Sequence, residues 1–151
     1  MWLIGGGLIL VGVIAMFVVL PAAMLKAMAP SLERRIAKLY PADSIVVQDL
    51  KALSFGLESK GAMQSRGNGA LALTATELHW FQFAPECDLR IPRDNITKVD
   101  AVKWHLGKSV GRNLLFVAFT KDGKPDSIAW HVTHLEQWRS QLEPPRGDIV
   151  E

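Results

Sequence analysis

The sequence predicts a mainly β protein, in which seven short strands and one C-terminal helix follow an apolar N-terminal helix. Three observations favour this class. Residues 1–25 contain no charged residue and no Ser, Thr, Asn, Gln or His. From residue 45 onward, β-forming runs alternate with turn signals rich in Gly, Pro, Asn and Asp. A single helical pattern follows the last run and ends before Pro144.

The N-terminal segment has the length and composition of a transmembrane helix. The apolar stretch from Trp2 to Leu20 spans about 28 Å as a helix, close to the roughly 30 Å hydrocarbon core of a bilayer. It lacks the polar stripe that a helix on a protein surface shows. We therefore expect residues 1–25 to cross a membrane. A cleaved signal peptide is the alternative, since Ala27-Met28-Ala29 looks like a cleavage site, but no basic residue precedes that segment.

Basic residues follow this segment and predict its orientation. Positively charged residues close to a transmembrane helix stay on the cytoplasmic side. We therefore expect a single-pass protein of the cell membrane, with its N-terminus outside and its C-terminal domain in the cytoplasm. The same basic residues are candidate contacts with anionic lipid at the membrane surface: Lys26, Arg34, Arg35 and Lys38.

Residues 26–44 form the expected juxtamembrane linker. Leu32, Ile36 and Leu39 are spaced by four and three, which places them on one face of a helix. Tyr40-Pro41 ends that helix. Two interpretations stay open: a short amphipathic helix lying on the membrane surface, or an extension of the transmembrane helix into water.

The domain expected over residues 45–143 is built from seven strands. The first is typical of a long strand with a bulge, because it is rich in β-forming residues without clean alternation. The sixth is a nearly continuous apolar run, typical of a strand buried on both faces, and Asp122-Gly123 after it is a strong hairpin signal. The expected strands cover residues 45–57, 70–74, 77–83, 88–91, 96–106, 114–120 and 127–132.

One helix completes this domain, with Thr133 and Glu136 spaced as a capping box at its start. Short strands followed by one helix predict an open barrel, or a pair of packed antiparallel sheets, plugged by that helix. Residues 144–151 are expected to form a disordered tail. Four tryptophans are expected to fill the core: Trp80, Trp104, Trp130 and Trp138.

Four short segments within the domain follow one another in an informative order: Gly69-Ala70-Leu71-Ala72-Leu73-Thr74, Leu78-His79-Trp80-Phe81, Leu89-Arg90-Ile91-Pro92 and Ile96-Thr97-Lys98-Val99. They are similar to the pattern of GRAM and related bacterial pleckstrin-homology-like (PH-like) domains. The order of elements also resembles the pleckstrin-homology superfold, in which a C-terminal helix caps a seven-stranded bent barrel. The whole chain resembles small bacterial membrane proteins with one N-terminal helix and such a domain. This resemblance implies a fold rather than an activity.

Composition excludes several functional classes. From residue 46 to residue 151 the chain carries 13 basic and 13 acidic residues, so we expect no nucleic-acid partner. Cys87 is the single cysteine, which excludes an intramolecular disulfide. The sequence does not predict an oligomeric state.

Two motifs that carry chemistry elsewhere lack their structural context in this chain. Gly107-Lys108-Ser109-Val110-Gly111 matches G-x-S-x-G, but a nucleophile elbow lies between a strand and a helix, and a strand is predicted to follow. His131 and His134 have H-x-x-H spacing, with Cys87 and His105 as the only obvious additional ligands. We therefore expect no enzymatic activity, no cofactor and no metal.

Binding is the remaining class of function, with two candidate ligands. The first is a membrane or cytoplasmic protein or peptide, recognised at the cytoplasmic face of the bilayer. The second is an anionic lipid headgroup, because the resemblance implies that basic residues in the first loop of the domain bind phosphoinositides. The K/R-x-R pattern usual on the second strand is absent from residues 70–74. The candidate lipid-binding residues are Lys60, Arg66, Lys108 and Arg112.

Overall fold

The computed structural model describes residues 23, 24 and 26–143 of the chain. The expected transmembrane helix, apart from Ala23 and Met24, and the expected tail at 144–151 lie outside this part. Among the described residues, no helix combines the length and apolar character needed to cross a bilayer.

Seven strands form one continuous antiparallel sheet, in the spatial order β4-β3-β2-β1-β7-β6-β5. One helix, α2, follows the last strand. This confirms the prediction of a mainly β domain with seven antiparallel strands and a C-terminal helix. The strands are β1 (Ile45–Leu57), β2 (Gly67–Thr74), β3 (Glu77–Gln82), β4 (Cys87–Pro92), β5 (Ile96–Val102), β6 (Leu114–Lys121) and β7 (Lys124–His131), and α2 is Leu135–Leu142.

The long strand β1 joins the two halves of the sheet. It pairs with β2 from Ile45 to Ser54 and with β7 from Leu53 to Leu57. The register shifts within both pairings, and Gly56 takes a φ of 99° that favours glycine. The predicted bulge in this strand is therefore confirmed, and one of the register shifts, between Ser54 and Leu57, lies just after the chain passes from one partner to the other.

The main core lies between the inner face of the sheet and α2. Trp80, Trp130 and Trp138 are at most 3% exposed and belong to it, as predicted. The prediction was wrong for Trp104, which is 67% exposed. Strand β5 ends at Val102, so the alternation that placed Trp104 inward stops two residues before it.

The start of α2 also differs from the prediction. The N-cap residue is His134, and no side chain in the described part of the chain caps the helix, so the capping box of Thr133 and Glu136 is not formed. The backbone N–H of Thr133 instead donates to the Asp49 carboxylate across 2.6 Å. A hydrogen bond between residues distant in sequence is therefore found in place of the local capping box.

Residues 26–39 form a helix, α1, whose apolar face packs on the outer face of the sheet. Leu32 and Ile36 are 0% and 3% exposed and share a cluster with Ala72 of β2 and Phe81 of β3. The amphipathic helix is therefore present, and protein covers these two side chains, whereas Leu39 is 47% exposed. Of the two interpretations left open by the sequence, neither includes this packing of the apolar face on the sheet.

A further apolar cluster lies on the outer face of the other half of the sheet. Phe55 of β1, Leu114 of β6 and Ala129 of β7 are fully buried there. Leu115 and Val117 of β6 belong to the main core on the opposite face. The prediction that the sixth strand is buried on both faces is thus confirmed for its inner face, whereas its outer face is buried only at Leu114 and half-buried beyond it. The loop between β5 and β6 lies beside this cluster.

Candidate functional site

Two loops that are far apart in sequence meet beside β1. One is the β1–β2 loop, residues 58–66, and the other is the β5–β6 loop, residues 103–113. Lys108 Nζ donates to the Gln64 carbonyl across 2.6 Å, and Arg66 Nη2 donates to the Ser109 carbonyl across 3.3 Å. We call these two loops together the loop surface.

The β1–β2 loop is held in shape by the side chain of Gln64. Its amide nitrogen donates to the carbonyls of Leu57 and Gly61 across 2.6 and 2.5 Å, and its amide oxygen accepts from the Leu57 N–H across 3.1 Å. One polar side chain therefore satisfies several backbone groups that a loop otherwise leaves to water. This fixes the chain on both sides of Met63.

The β5–β6 loop is held by a tight turn and by His105. The backbones of His105 and Lys108 exchange two hydrogen bonds of 3.0 Å, and Leu106 and Gly107 between them have φ of 50° and 73°. His105 is 7% exposed, its Nε2 donates to the Gly56 carbonyl across 2.8 Å, and its ring lies edge-on to Phe116. His105 is therefore an anchor of this loop on β1.

The loop surface exposes large apolar side chains. Met63 is 98% exposed, Trp104 is 67% exposed and Val110 is 37% exposed. Half of the exposed large apolar side chains in the described part of the chain lie in these two loops, the others being Met24, Leu39 and Val46. Exposed apolar side chains gathered in one place mark contact sites more often than scattered ones do.

The loop surface is also strongly basic. It contains five basic residues and one acidic residue, Glu58, for a net charge of +4. The carboxylate of Glu58 accepts from the Ser127 hydroxyl across 2.7 Å, so it is directed toward β7. The chain from residue 46 to residue 151 is neutral overall, so the positive charge is concentrated here. The basic residues are Lys60, Arg66, Lys103, Lys108 and Arg112.

The four candidate lipid-binding residues all lie on this surface, but they differ in their contacts. Lys60, Arg66 and Arg112 are exposed, and the Arg66 guanidinium lies 5.3 Å from the centre of the Phe55 ring. Lys108 is only half exposed, and its ammonium group also lies 3.5 Å from the Phe55 carbonyl. Lys108 therefore joins the two loops rather than presenting its charge outward.

The four candidate membrane-surface residues divide in a similar way. Lys26, Arg34 and Lys38 are exposed on α1. Arg35 faces the sheet, where it donates to the Gln82 carbonyl across 2.7 Å and to the Asp88 carboxylate. Its side chain is 17% exposed and its charge is paired within the fold. Arg35 is therefore less available for a lipid contact than the other three residues.

The geometry of the loop surface favours a contact face over an enclosed ligand pocket. A cavity of about 150 Å³ lies at one side of it, where Lys60, Gln64 and Ser65 of the β1–β2 loop meet the end of β1 and the β3–β4 strands. None of the described residues that line this cavity belongs to the β5–β6 loop, so the cavity is not shared by the two loops. The described part of the chain contains no cluster of three or more His, Cys, Asp or Glu arranged to hold a metal.

Ser109, the serine of the G-x-S-x-G match, lies within the loop surface. Strand β6 follows it, so the strand–turn–helix context of a nucleophile elbow is not formed. Its hydroxyl accepts from the Gly111 N–H across 3.1 Å, which shapes the loop.

Sequence reasoning identified the basic residues of the loop surface except Lys103, and missed its apolar residues. Met63 and Val110 are each flanked by small or polar residues, a pattern that carries no period. A search against models of known protein families finds no match, and neither does a search of curated proteins.

Proposed function

We propose that this protein is a membrane-anchored, non-enzymatic PH-like binding module whose loop surface docks on an anionic bilayer. The observation that carries the proposal is the combination of a net charge of +4 with exposed Met63, Trp104 and Val110 on two loops in contact. The strand order, with β1 shared between two halves and α2 against the core, supports the PH-like assignment.

Both components of this surface match the chemistry of a bilayer interface. Basic side chains near an anionic membrane contribute about 1 kcal/mol each and lose that contribution in salt. Tryptophan favours the headgroup region, where its ring is apolar and its N–H is hydrated. A protein partner of acidic character would use the same charges, but the exposed ring of Trp104 among them favours a bilayer interface.

The direction of α1 supports docking on the membrane to which the chain is anchored. Tyr40 contacts Glu77 at the start of β3, whereas Arg35 contacts Gln82 at its end. The chain before Arg35 therefore runs toward the end of β3. That end pairs with Gly69 of β2, shortly after the β1–β2 loop. The N-terminal end of α1 thus lies on the side of the loop surface.

A single-pass anchor and a basic, apolar patch have complementary roles. The anchor fixes the concentration of the domain at the membrane, and the patch adds a second attachment that orients it. The expected location of the domain at the cytoplasmic face supports this, because that leaflet carries the anionic lipid. The expectation of a protein or peptide ligand stays a prediction.

Site-specific fluorescence on the intact chain tests the proposal. With Cys87 replaced by Ser, a polarity-sensitive dye is attached at Met63→Cys and the protein is reconstituted into vesicles of phosphatidylcholine with or without phosphatidylserine. We expect a blue shift that requires phosphatidylserine and disappears in high salt. The matched control is Asn95→Cys, an exposed position between β4 and β5. The same emission in both kinds of vesicle, or an equal shift at position 95, would contradict the proposal.

A further inference from the structure

A group of polar side chains that the loop surface does not include lies under α1. Arg35 comes from α1 and Tyr40 directly follows it, Glu77 and His79 come from β3, and Asp88 comes from β4. We call this group the α1 clamp. Arg35 reaches Asp88, and Tyr40 contacts both Glu77 and His79. The clamp therefore fastens α1 to the sheet at two points, beside its apolar face.

His79 is the central and most deeply buried member of the α1 clamp. The residue is 0% exposed, and its ring stacks on Phe81 with 3.7 Å between ring centres. Its Nδ1 lies 2.8 Å from the Tyr40 hydroxyl. Its Nε2 is buried and forms no hydrogen bond with any described residue, although an Asp88 oxygen lies 3.4 Å away.

The contacts of Tyr40 fix where the proton of a neutral His79 ring lies. A hydroxyl has one hydrogen, and Tyr40 donates it to the Glu77 carboxylate. Burial, followed by the hydrogen bond to Glu77, raises the pKa of Tyr40 above its ordinary value, so it keeps that hydrogen. Nδ1 of His79 is then the donor to the Tyr40 oxygen, and Nε2 carries no hydrogen. An additional proton would bind at Nε2.

The surroundings of Nε2 disfavour that proton while α1 is docked. Burial lowers the pKa of His79 below its ordinary value; Asp88 and Glu77 oppose this effect, and Arg90 of β4 adds to it. From α1, the guanidinium of Arg35 already occupies the other oxygen of Asp88, and Glu86 lies 3.7 Å from Arg35. An imidazolium at this position is removed from water without a well-aligned acceptor.

We propose that helix α1 is an acid-sensitive clamp, which closes over neutral His79 and loosens when this imidazole takes up a proton. With α1 displaced, the ring is hydrated and binds a proton more readily than it does when buried. Docking of α1 therefore releases a proton, and acidification below the ordinary His value of about 6.5 shifts the equilibrium toward the undocked state.

Loosening of α1 has a consequence that rests on the proposed function. The expected anchor precedes α1 in the chain, so residues 26–39 add no length to the tether of the domain while the helix is docked on the sheet. Release of α1 lengthens that tether by these residues, and the loop surface is then held less closely to the membrane. Docking on anionic lipid would then weaken in acid without any change in the loops.

Hydrogen exchange on the full chain tests the clamp independently of lipid charge. The protein is held in nanodiscs of neutral lipid, and exchange of the amides of residues 28–39 is measured between about pH 8 and pH 5 and corrected for intrinsic rates. If release of α1 is coupled to the uptake of one proton by His79, the protection of the α1 amides can fall by up to about tenfold per pH unit below pH 6.5. We expect that loss in α1 and none in β6.

Two glutamine variants make the result specific to His79. His79→Gln keeps an amide donor for Tyr40 and does not titrate, so α1 should keep the same protection at every pH. His134→Gln, at an exposed position before α2, should behave like the unmodified chain. Equal pH dependence in the two variants, or α1 protection that does not change with pH in the unmodified chain, would overturn the proposal.

A second measurement covers the case in which His79→Gln does not fold. The imidazole of His79 is titrated by NMR in the unmodified chain, and its midpoint is compared with that of α1 exchange. Coincident midpoints support the clamp. Titration of His79 with no change in α1 exchange would overturn it.

Discussion

The ammonium group of Lys108 donates to the Gln64 carbonyl across 2.6 Å and so ties the β5–β6 loop to the β1–β2 loop. The residues around Lys108 and Gln64 do not indicate this contact, because the acceptor is a backbone carbonyl, which every residue has. It places the charges of one loop beside the exposed Met63 of the other. The loop surface exists as one face because of this bond and that of Arg66 to Ser109.

Replacement of Lys108 by methionine should separate the two loops. Methionine keeps the apolar stem and removes the donor, which leaves the Gln64 carbonyl without this partner. Hydrogen bonds from charged donors contribute about 1.5–3 kcal/mol, and partial exposure places Lys108 at the lower end. We expect a fall of about 1.5 kcal/mol in the free energy of unfolding, measured by urea denaturation in detergent. Lys103→Met, at an exposed neighbouring position, should have no measurable effect, and equal stability of the two variants would contradict this assignment.

Removal of the outward-facing charges should weaken docking without affecting the fold. Lys60, Lys103 and Arg112 replaced together by Gln remove three charges, at about 1 kcal/mol each near an anionic surface. The affinity of the loop surface for phosphatidylserine vesicles at low salt should fall by about a hundredfold. The readout is the fraction of dye at Met63→Cys in the blue-shifted state.

A second triple variant removes the same charge from other faces of the domain. Lys51, Lys98 and Lys124 are exposed on β1, β5 and β7, and their replacement by Gln leaves the loop surface intact. We expect its docking to stay within a few-fold of the unmodified chain. An equal loss in both triple variants would show that net charge, not the loop surface, governs binding.

Strands and turns were largely predictable because their signals are local. The hairpin expected at Asp122-Gly123 is formed, with both residues at positive φ. Gly69 begins the G-x-L-x-L-T segment for a steric reason, since a Cβ there would lie 2.1 Å from the Phe81 carbonyl oxygen. Such constraints act between strands that are adjacent in the sequence, so a local sequence pattern reflects them.

The role of α1 was not predictable in the same way. The apolar positions Leu32 and Ile36 indicate that one face of a helix is covered, but a sheet and a membrane require the same stripe. The charge of Arg35 alone predicts a membrane contact, whereas in the fold its partners are the Gln82 carbonyl and Asp88. These partners are 47 and 53 residues away in sequence. A single sequence does not relate such distant positions.

Two tryptophan substitutions should separate binding from stability. Trp104→Ala removes an exposed ring, so the free energy of unfolding should change by less than about 0.5 kcal/mol, whereas vesicle docking should weaken measurably. Trp130→Ala removes a fully buried ring of the core and should cost about 3–5 kcal/mol. Both variants are compared by urea denaturation and by dye emission at position 63. A large loss of stability in Trp104→Ala would show that this ring supports the fold instead.

Asp126 should give the domain a component of acid sensitivity distinct from that of His79. Its carboxylate accepts from the Ser59 N–H at 3.0 Å, the Ser59 hydroxyl at 2.6 Å and the Ser127 N–H at 2.9 Å. Burial alone raises the pKa of Asp126, but the hydrogen bonds from Ser59 and Ser127 outweigh it, and the net direction is downward. The stabilisation is therefore complete above the pKa of about 3.8 in the unfolded chain and is lost as the pH falls through the lower pKa of the folded state.

Asp126→Asn should lose stability at neutral pH and show a shallower decline in stability between about pH 5 and pH 2, measured by urea denaturation at each pH. Asp94→Asn, at an exposed position beyond β4, should keep the full decline, and an unchanged profile for Asp126→Asn would mean that these hydrogen bonds do not stabilise the ionised carboxylate.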